Sequence, residues 1–182
     1  MRKFGVFTSF ILISALIAGL YGIIHDQITY SISPEYFTKF KYRQFGLDPS
    51  LFGGHRPTVA IIGFLATWWT GIFIGIGLGL TTLIYDDYKR MRAALAKGIG
   101  VVLSIAVLTG ITGYFYGRFH LIKTGVNWWL PEDLIDRNSF ITVGSIHNFS
   151  YIGGIIGLLV GIVFLIKTKS SSTPFSKKET SI

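Results

Sequence analysis

The chain has 182 residues, of which 50% are apolar and only 14% are charged. Soluble domains carry about 25% charged residues, so this composition belongs to lipid. No cysteine is present, which excludes disulfides, thiolate metal sites, thiolate-held iron–sulfur clusters and a thiol nucleophile. The net charge of +8 comes from Lys and Arg gathered beside apolar blocks, not from a basic stripe or a nucleic-acid module, so no nucleic-acid partner is expected.

Four stretches approach or exceed the roughly 20 apolar residues that cross a bilayer: 4–24, 58–85, 98–117 and 150–166. None contains Lys, Arg, Asp or Glu. In hydrocarbon a lone segment satisfies its backbone only as a helix, so an all-α, four-transmembrane-helix bundle is predicted. The first span follows Arg2 and Lys3 and lacks a small-x-small cleavage pattern near Ala18, and it reads as a retained helix. Lys89, Arg90, Arg92 and Lys97 in the short middle connection, with Lys167, Lys169, Lys177 and Lys178 in the tail, place both termini in the cytoplasm.

After the first span, the alternation Ile28, Tyr30, Ile32 suggests an extended segment. Ser33, Pro34 and Glu35 then read as the start of a short amphipathic helix in the outer loop, with Tyr36, Phe37 and Phe40 on one face lying along the membrane surface. Gly53 and Gly54 form a turn before the second span, with Pro57 in its first helical turn. The second span carries Gly71, Gly75 and Gly79, and Trp68 and Trp69 belong near the outer interface. The fourth carries Gly153, Gly157 and Gly161, and each glycine run reads as a smooth packing groove, for either a neighbouring helix or an assembly partner. In the second outer loop, Trp128 and Trp129 sit at the interface and Pro131 with Glu132 opens another short amphipathic helix. His147 precedes the last span. Residues 170–182 are polar and Ser/Thr-rich, and a disordered cytoplasmic tail is expected there.

All four histidines fall on the outer side, and His25, Glu35, His55 in one half are echoed by His120, Glu132, His147 in the other. The echo hints at a parallel repeat. Histidine with carboxylate from paired helices is the ligand set of zinc, or of iron and manganese sites inside bundles, so these six residues are the candidate metal ligands. Arg43, Arg56 and Arg118 are candidates for gripping an anionic lipid headgroup. His55 with Arg56 also has the composition of a phosphate-attacking pair, for which Arg118 with His120 is the only second segment. No G-x-S-x-G, P-loop or dinucleotide fingerprint occurs, and no two histidines lie deep in opposed spans to hold a haem.

The string His25, Asp26, Gln27, Ile28, Thr29, Tyr30, followed by Ser33, Pro34, Glu35, Tyr36, Phe37, resembles the first outer loop of a group of small, uncharacterised, four-helix integral membrane proteins of bacteria. That resemblance implies the bacterial cytoplasmic (inner) membrane as location and implies no activity. Three functions stay open: a structural or accessory protein with membrane lipids, a further copy of itself or another membrane protein as partner; an outer-face metal-dependent or lipid-headgroup-modifying enzyme; and an oligomeric transporter or channel. Spans without ionisable groups count against transport. Histidines converging on one pocket favour the enzyme, and histidines spread around the bundle favour the accessory protein.

Overall fold

The computed structural model describes residues 2–171, and among them every regular element is helical. Four long helices form the bundle: α1 (Arg2–Ile32), α2 (His55–Thr82), α3 (Tyr88–Tyr116) and α4 (Arg137–Ser171). All four are long and apolar enough to cross a membrane. α1, α3 and α4 exceed their apolar stretches because helices run on through their polar ends wherever backbone bonds still close, whereas α2 keeps the 28 residues of its stretch but starts and ends three residues earlier. Ser170 and Ser171 complete α4, and the rest of the expected tail lies outside the described residues.

The extended segment expected at Ile28–Ile32 is instead the last turn of α1. Ile28 and Ile32 are four residues apart and share a helical face, with Ile28 facing outward, so three alternating residues fit a helix as well as a strand. Pro34 ends α1: it disfavours helical backbone at Ser33. The chain restarts with the Ser33 hydroxyl accepting from the Tyr36 amide at 3.4 Å. It then forms a wide, π-type turn over Tyr36–Lys41 and a short helix, Tyr42–Phe45, closed by Gly46 at a φ of 65°. The second half has the same order. α3 runs into a wide turn at Gly117–Leu121 and the short Ile122–Thr124 before Gly125, at a φ of 81°. No helix forms at Pro131 and Glu132; 125–136 is turn and bend. Glu35 replaces local structure there, its two carboxylate oxygens accepting from the amides of Ile135 at 2.9 Å and Asp136 at 2.7 Å.

The chain makes two hairpins, α1 on α2 and α3 on α4. A Cβ at Gly71 or Gly75 would run into α1 at Ser14, Ala15 and Ile11, and one at Gly79 would strike Phe7. Gly153 and Gly157 face Ala106, Thr109 and Val102 of α3, and Gly161 faces Leu78 and Val102. Both glycine runs are thus filled from within the chain. The helix ends that carry the termini, here the terminal end, hold an apolar core of Leu78, Met91, Leu95, Ile99, Val102 and Leu165. Asp87 caps α3 there, accepting from the amides of Lys89 and Arg90, and Lys169 pairs with Asp86.

At the opposite end, the cap end, Tyr36, Phe37 and Tyr42 pack on Val59, Ile62, Phe140 and Val143. Tyr36 and Phe37 are buried, so this segment folds over the bundle instead of lying along a membrane surface. Aromatic area buried against α4 outweighs what a surface position offers.

Burial opposes ionisation of Glu35, but the amides of Ile135 and Asp136 and the ammonium of Lys39, 3.0 Å away, hold its carboxyl below the ordinary 4.5. A lowered folded-state pKa gives stability that is complete above the unfolded value and is lost as pH falls through the folded one. Acidification through that lowered folded-state pKa, below 4.5, therefore releases 125–136 from the cap, and Glu35→Gln releases it at neutral pH. Amide hydrogen exchange at Ile135 and Asp136 reads both effects. Unchanged protection in the variant would contradict this role.

Candidate metal centre

The groups of interest lie on α1 and α4 where the two hairpins face each other, beneath the cap. Tyr21 and His25 are one helical turn apart, and Asp26 follows His25. Val143, His147 and Ser150 are spaced to share one face of α4. Gly22, one turn before Asp26, sits against Gly63 with the two backbones in contact, which brings α2 close behind the site.

His25, Asp26 and His147 each present one ligand atom, and these atoms all lie within 4.8 Å of one another. Asp26 Oδ1 is 2.9 Å from His25 Nδ1 and 3.2 Å from His147 Nε2. The imidazole rings meet edge to face, with centroids 4.7 Å apart. Asp26 and His147 are both 3% exposed, while Asp26 Oδ2 has no hydrogen-bond partner among the described residues. An unpaired buried carboxylate oxygen is costly in a low-dielectric interior.

The proton positions follow from the outer partners. His147 Nδ1 lies 2.9 Å from the Val143 carbonyl, which only accepts, so Nδ1 carries a proton. In a neutral ring, Nε2 then turns its lone pair toward the Asp26 carboxylate. Lone pair against anion is repulsive, so the pair needs either a shared proton, carried by His147 or by Asp26, or a metal ion. Ser150 Oγ lies 3.2 Å from His25 Nε2 and accepts from it when Nδ1 is the lone-pair nitrogen. Each imidazole is then fixed by a partner on the nitrogen remote from Asp26, the arrangement that orients metal-ligating histidines. Ligand atoms at about 2.0–2.2 Å from a tetrahedral zinc stand about 3.3 Å apart, close to the 3.2 Å between Asp26 and His147.

Tyr36 stacks on His147 with centroids 4.7 Å apart, and Phe37 packs edge-on to it, so the cap closes the site from above. Lys41 is buried within 5.6–5.9 Å of the ring centroids of Tyr36, Phe40 and Phe45. Burial pushes its ammonium below the ordinary value, and the charge of Asp26 opposes that shift. On the side of α2 the site opens into a cavity of ≈ 370 Å³, which reaches His25, Asp26, His147 and Ser150.

Two of the six expected ligands, His25 and His147, meet; the other four do not join them. Glu35 braces the second loop, as described. His55 lies against Tyr42, its Nδ1 3.0 Å from the hydroxyl, stacked between Tyr42 and Tyr30. His120 stacks on Tyr116 at 4.9 Å and is exposed, as is Glu132. Among the arginines, Arg43 and Arg118 are exposed at the cap end. Arg56 instead ties α2 to α1, donating to Gln27 O at 3.0 Å, Gln27 Oε1 at 3.1 Å and Ser31 Oγ at 3.1 Å, over the Tyr30 ring. His55 with Arg56 therefore does not form a free phosphate clamp.

His147 lies ten residues into α4, not ahead of it, and His25 with Asp26 lies within α1. The long apolar helices, unlike the apolar stretches within them, do contain ionisable groups. The two histidines also lie in opposed helices, but their rings touch, which leaves no space for a macrocycle between them.

No protein-family model, curated protein or solved structure matches this chain. The argument for function therefore rests on the site.

Proposed function

We propose that this is a membrane-embedded metal-dependent enzyme whose centre is a divalent ion held by His25, Asp26 and His147. The observation that carries the reading is the buried convergence of His25, Asp26 and His147, whose ligand atoms lie within 4.8 Å of one another; with His147 Nδ1 donating to Val143, its Nε2 lone pair faces the Asp26 carboxylate. A proton satisfies that pair but leaves Asp26 Oδ2 without a partner. A metal ion held by Asp26 would balance the carboxylate charge that both oxygens share. Two imidazoles and one carboxylate are nitrogen and oxygen donors suited to zinc, ferrous iron or manganese. Three protein ligands with an open position are typical of catalytic centres, and the adjoining cavity supplies the space for water or substrate.

The basic residues of the terminal end support a location in the bacterial inner membrane with both termini in the cytoplasm, so that the cap and the centre face outward. From Lys3 to His25 is 22 residues, about 33 Å of helix, which sets the centre at the outer edge of the roughly 30 Å hydrocarbon layer. Transport is less well supported, because the terminal half of the bundle is an apolar core. An accessory role explains the packing of the glycines but not the buried convergence of His25, Asp26 and His147.

Equilibrium dialysis of the detergent-purified chain against zinc, manganese and ferrous iron tests the reading. Near one equivalent is expected for the wild type and for His120→Ala. Ser150→Ala, which loses the partner of His25 Nε2, retains the site with affinity about 10–100-fold weaker. Equal binding by wild type and a His147→Ala variant would overturn the assignment.

A further inference from the structure

The cavity beside the metal centre has a polar end and an apolar body. It lies between α2 and α4 and runs from His147 toward Leu158, a span of 11 residues or about 16 Å along α4. Thr67 and Thr70 line it, but their hydroxyls donate to carbonyls of their own helix and of α1, so they offer no free donor to an occupant. The other polar groups in the lining are those of the centre, the hydroxyls of Tyr21 and Tyr151 and the indole of Trp69. Below them the walls are apolar, and Phe73 at 64% and Ile155 at 66% exposure leave the cleft open sideways, toward where lipid lies. Gly154 forms part of the wall, and a Cβ there would meet nothing within 4 Å.

An apolar cleft of this kind is not a water site, since water needs polar partners. A sugar or nucleotide, with polar groups all round, would leave most of them unpaired against walls of Ala18, Phe73, Ile74, Leu103, Ile155 and Leu158. Hydrocarbon fits, and the bilayer supplies hydrocarbon at that depth. The centre stands about 33 Å from Lys3, at the level where lipid chains join their polar linkages.

We infer that the cleft between α2 and α4 takes one hydrocarbon chain of a membrane lipid from the side and presents the polar linkage of that lipid to the metal centre. This deepens the enzyme reading and rests on it for the role of the metal. The substrate class is an amphipathic, long-chain lipid, not a water-soluble metabolite. Side entry from the bilayer explains why a buried centre needs no aqueous channel through the cap.

The test uses the full chain in phosphatidylethanolamine and phosphatidylglycerol vesicles containing a phospholipid with a photoreactive diazirine in one chain. Crosslinked residues are mapped by mass spectrometry. The lipid-facing Leu12 and Leu108 serve as references for ordinary contact with the bilayer. Crosslinks at Ile74, Leu103 and Leu158 of the cleft are expected to match or exceed those at the references. Gly154→Trp fills the cleft without a backbone clash and lowers the cleft crosslinks at least 5-fold, leaving the references and metal content unchanged. Gly154→Leu, which needs less room, lowers them less. Cleft crosslinks that stay at background, or that persist in both variants, would overturn the inference. Asp26→Asn separates the two readings, because it removes the metal and leaves the chain in its cleft. Cleft labelling in a wild-type protein that binds no metal would keep the groove and end the metal assignment.

Discussion

Asp26→Asn abolishes metal binding and with it the stabilisation that metal confers. Asparagine keeps the shape of the side chain but removes its charge, leaving two imidazoles and a neutral amide oxygen to hold a divalent ion. Occupancy is expected to fall from near one equivalent to less than a tenth under the same dialysis. The thermal consequence is separable from ordinary damage to a buried site. A ligand that binds only the folded state at about a thousand times its dissociation constant stabilises by about 4 kcal/mol. For a chain of this size that is about 10 °C in Tm. Added zinc therefore raises the Tm of the wild type by about that amount and leaves the variant unmoved. An equal shift in both proteins would show that the metal binds elsewhere.

Gly63→Val has the largest effect expected on the fold. A Cβ at Gly63 stands 2.6 Å from the carbonyl carbon of Gly22 and 2.9 Å from the amide nitrogen of Ile23. Both are backbone atoms, which no rotamer change moves aside, so α1 and α2 must separate. Overpacking typically costs 1–3 kcal/mol, and a backbone-to-backbone clash belongs at the top of that range, about 3 kcal/mol. Loss of close contact is not compensated by a hydrophobic effect in lipid. Because Gly22 is one turn from Asp26, the same displacement pulls α1 away from His147 and weakens the metal site. Gly5→Val is the matched control, since a Cβ at Gly5 meets nothing within 4 Å. Thermal unfolding followed by circular dichroism in one detergent compares the two, and equal melting temperatures would contradict this account of the α1–α2 contact.

The membrane helices were legible because apolar runs of that length have one solution in lipid. The glycine spacing marked the packing faces, although only the structure shows that both faces are filled from within the chain. What sequence hid was the reach of the helices. Ending the first span at Ile24 treats His25 and Asp26 as loop residues, and beginning the last at Ser150 does the same for His147. Charge marks a span boundary only when the charged group must reach water. Here the carboxylate of Asp26 is met by His25 and His147 instead. That is also why Asp26 was absent from the expected ligand set while Glu35, His55, His120 and Glu132 were included. The histidine echo between the halves included two residues that converge, His25 and His147, but not the pairing between them, because the contact runs between hairpins. An adjacent His–Asp pair at the end of an apolar run was the available signal. It becomes informative only when a second histidine, here 122 residues further on, is known to lie opposite.

The most direct test of the central claim is metal analysis combined with X-ray absorption at the metal edge, on full-length protein purified without chelators and supplied with zinc, manganese or ferrous iron. The account predicts near one equivalent of bound metal, surrounded by nitrogen and oxygen at about 2.0–2.2 Å with the outer-shell scattering of two imidazoles. Folded protein that takes up none of these ions, or metal whose surroundings are unchanged when His147 is replaced by alanine, would contradict it.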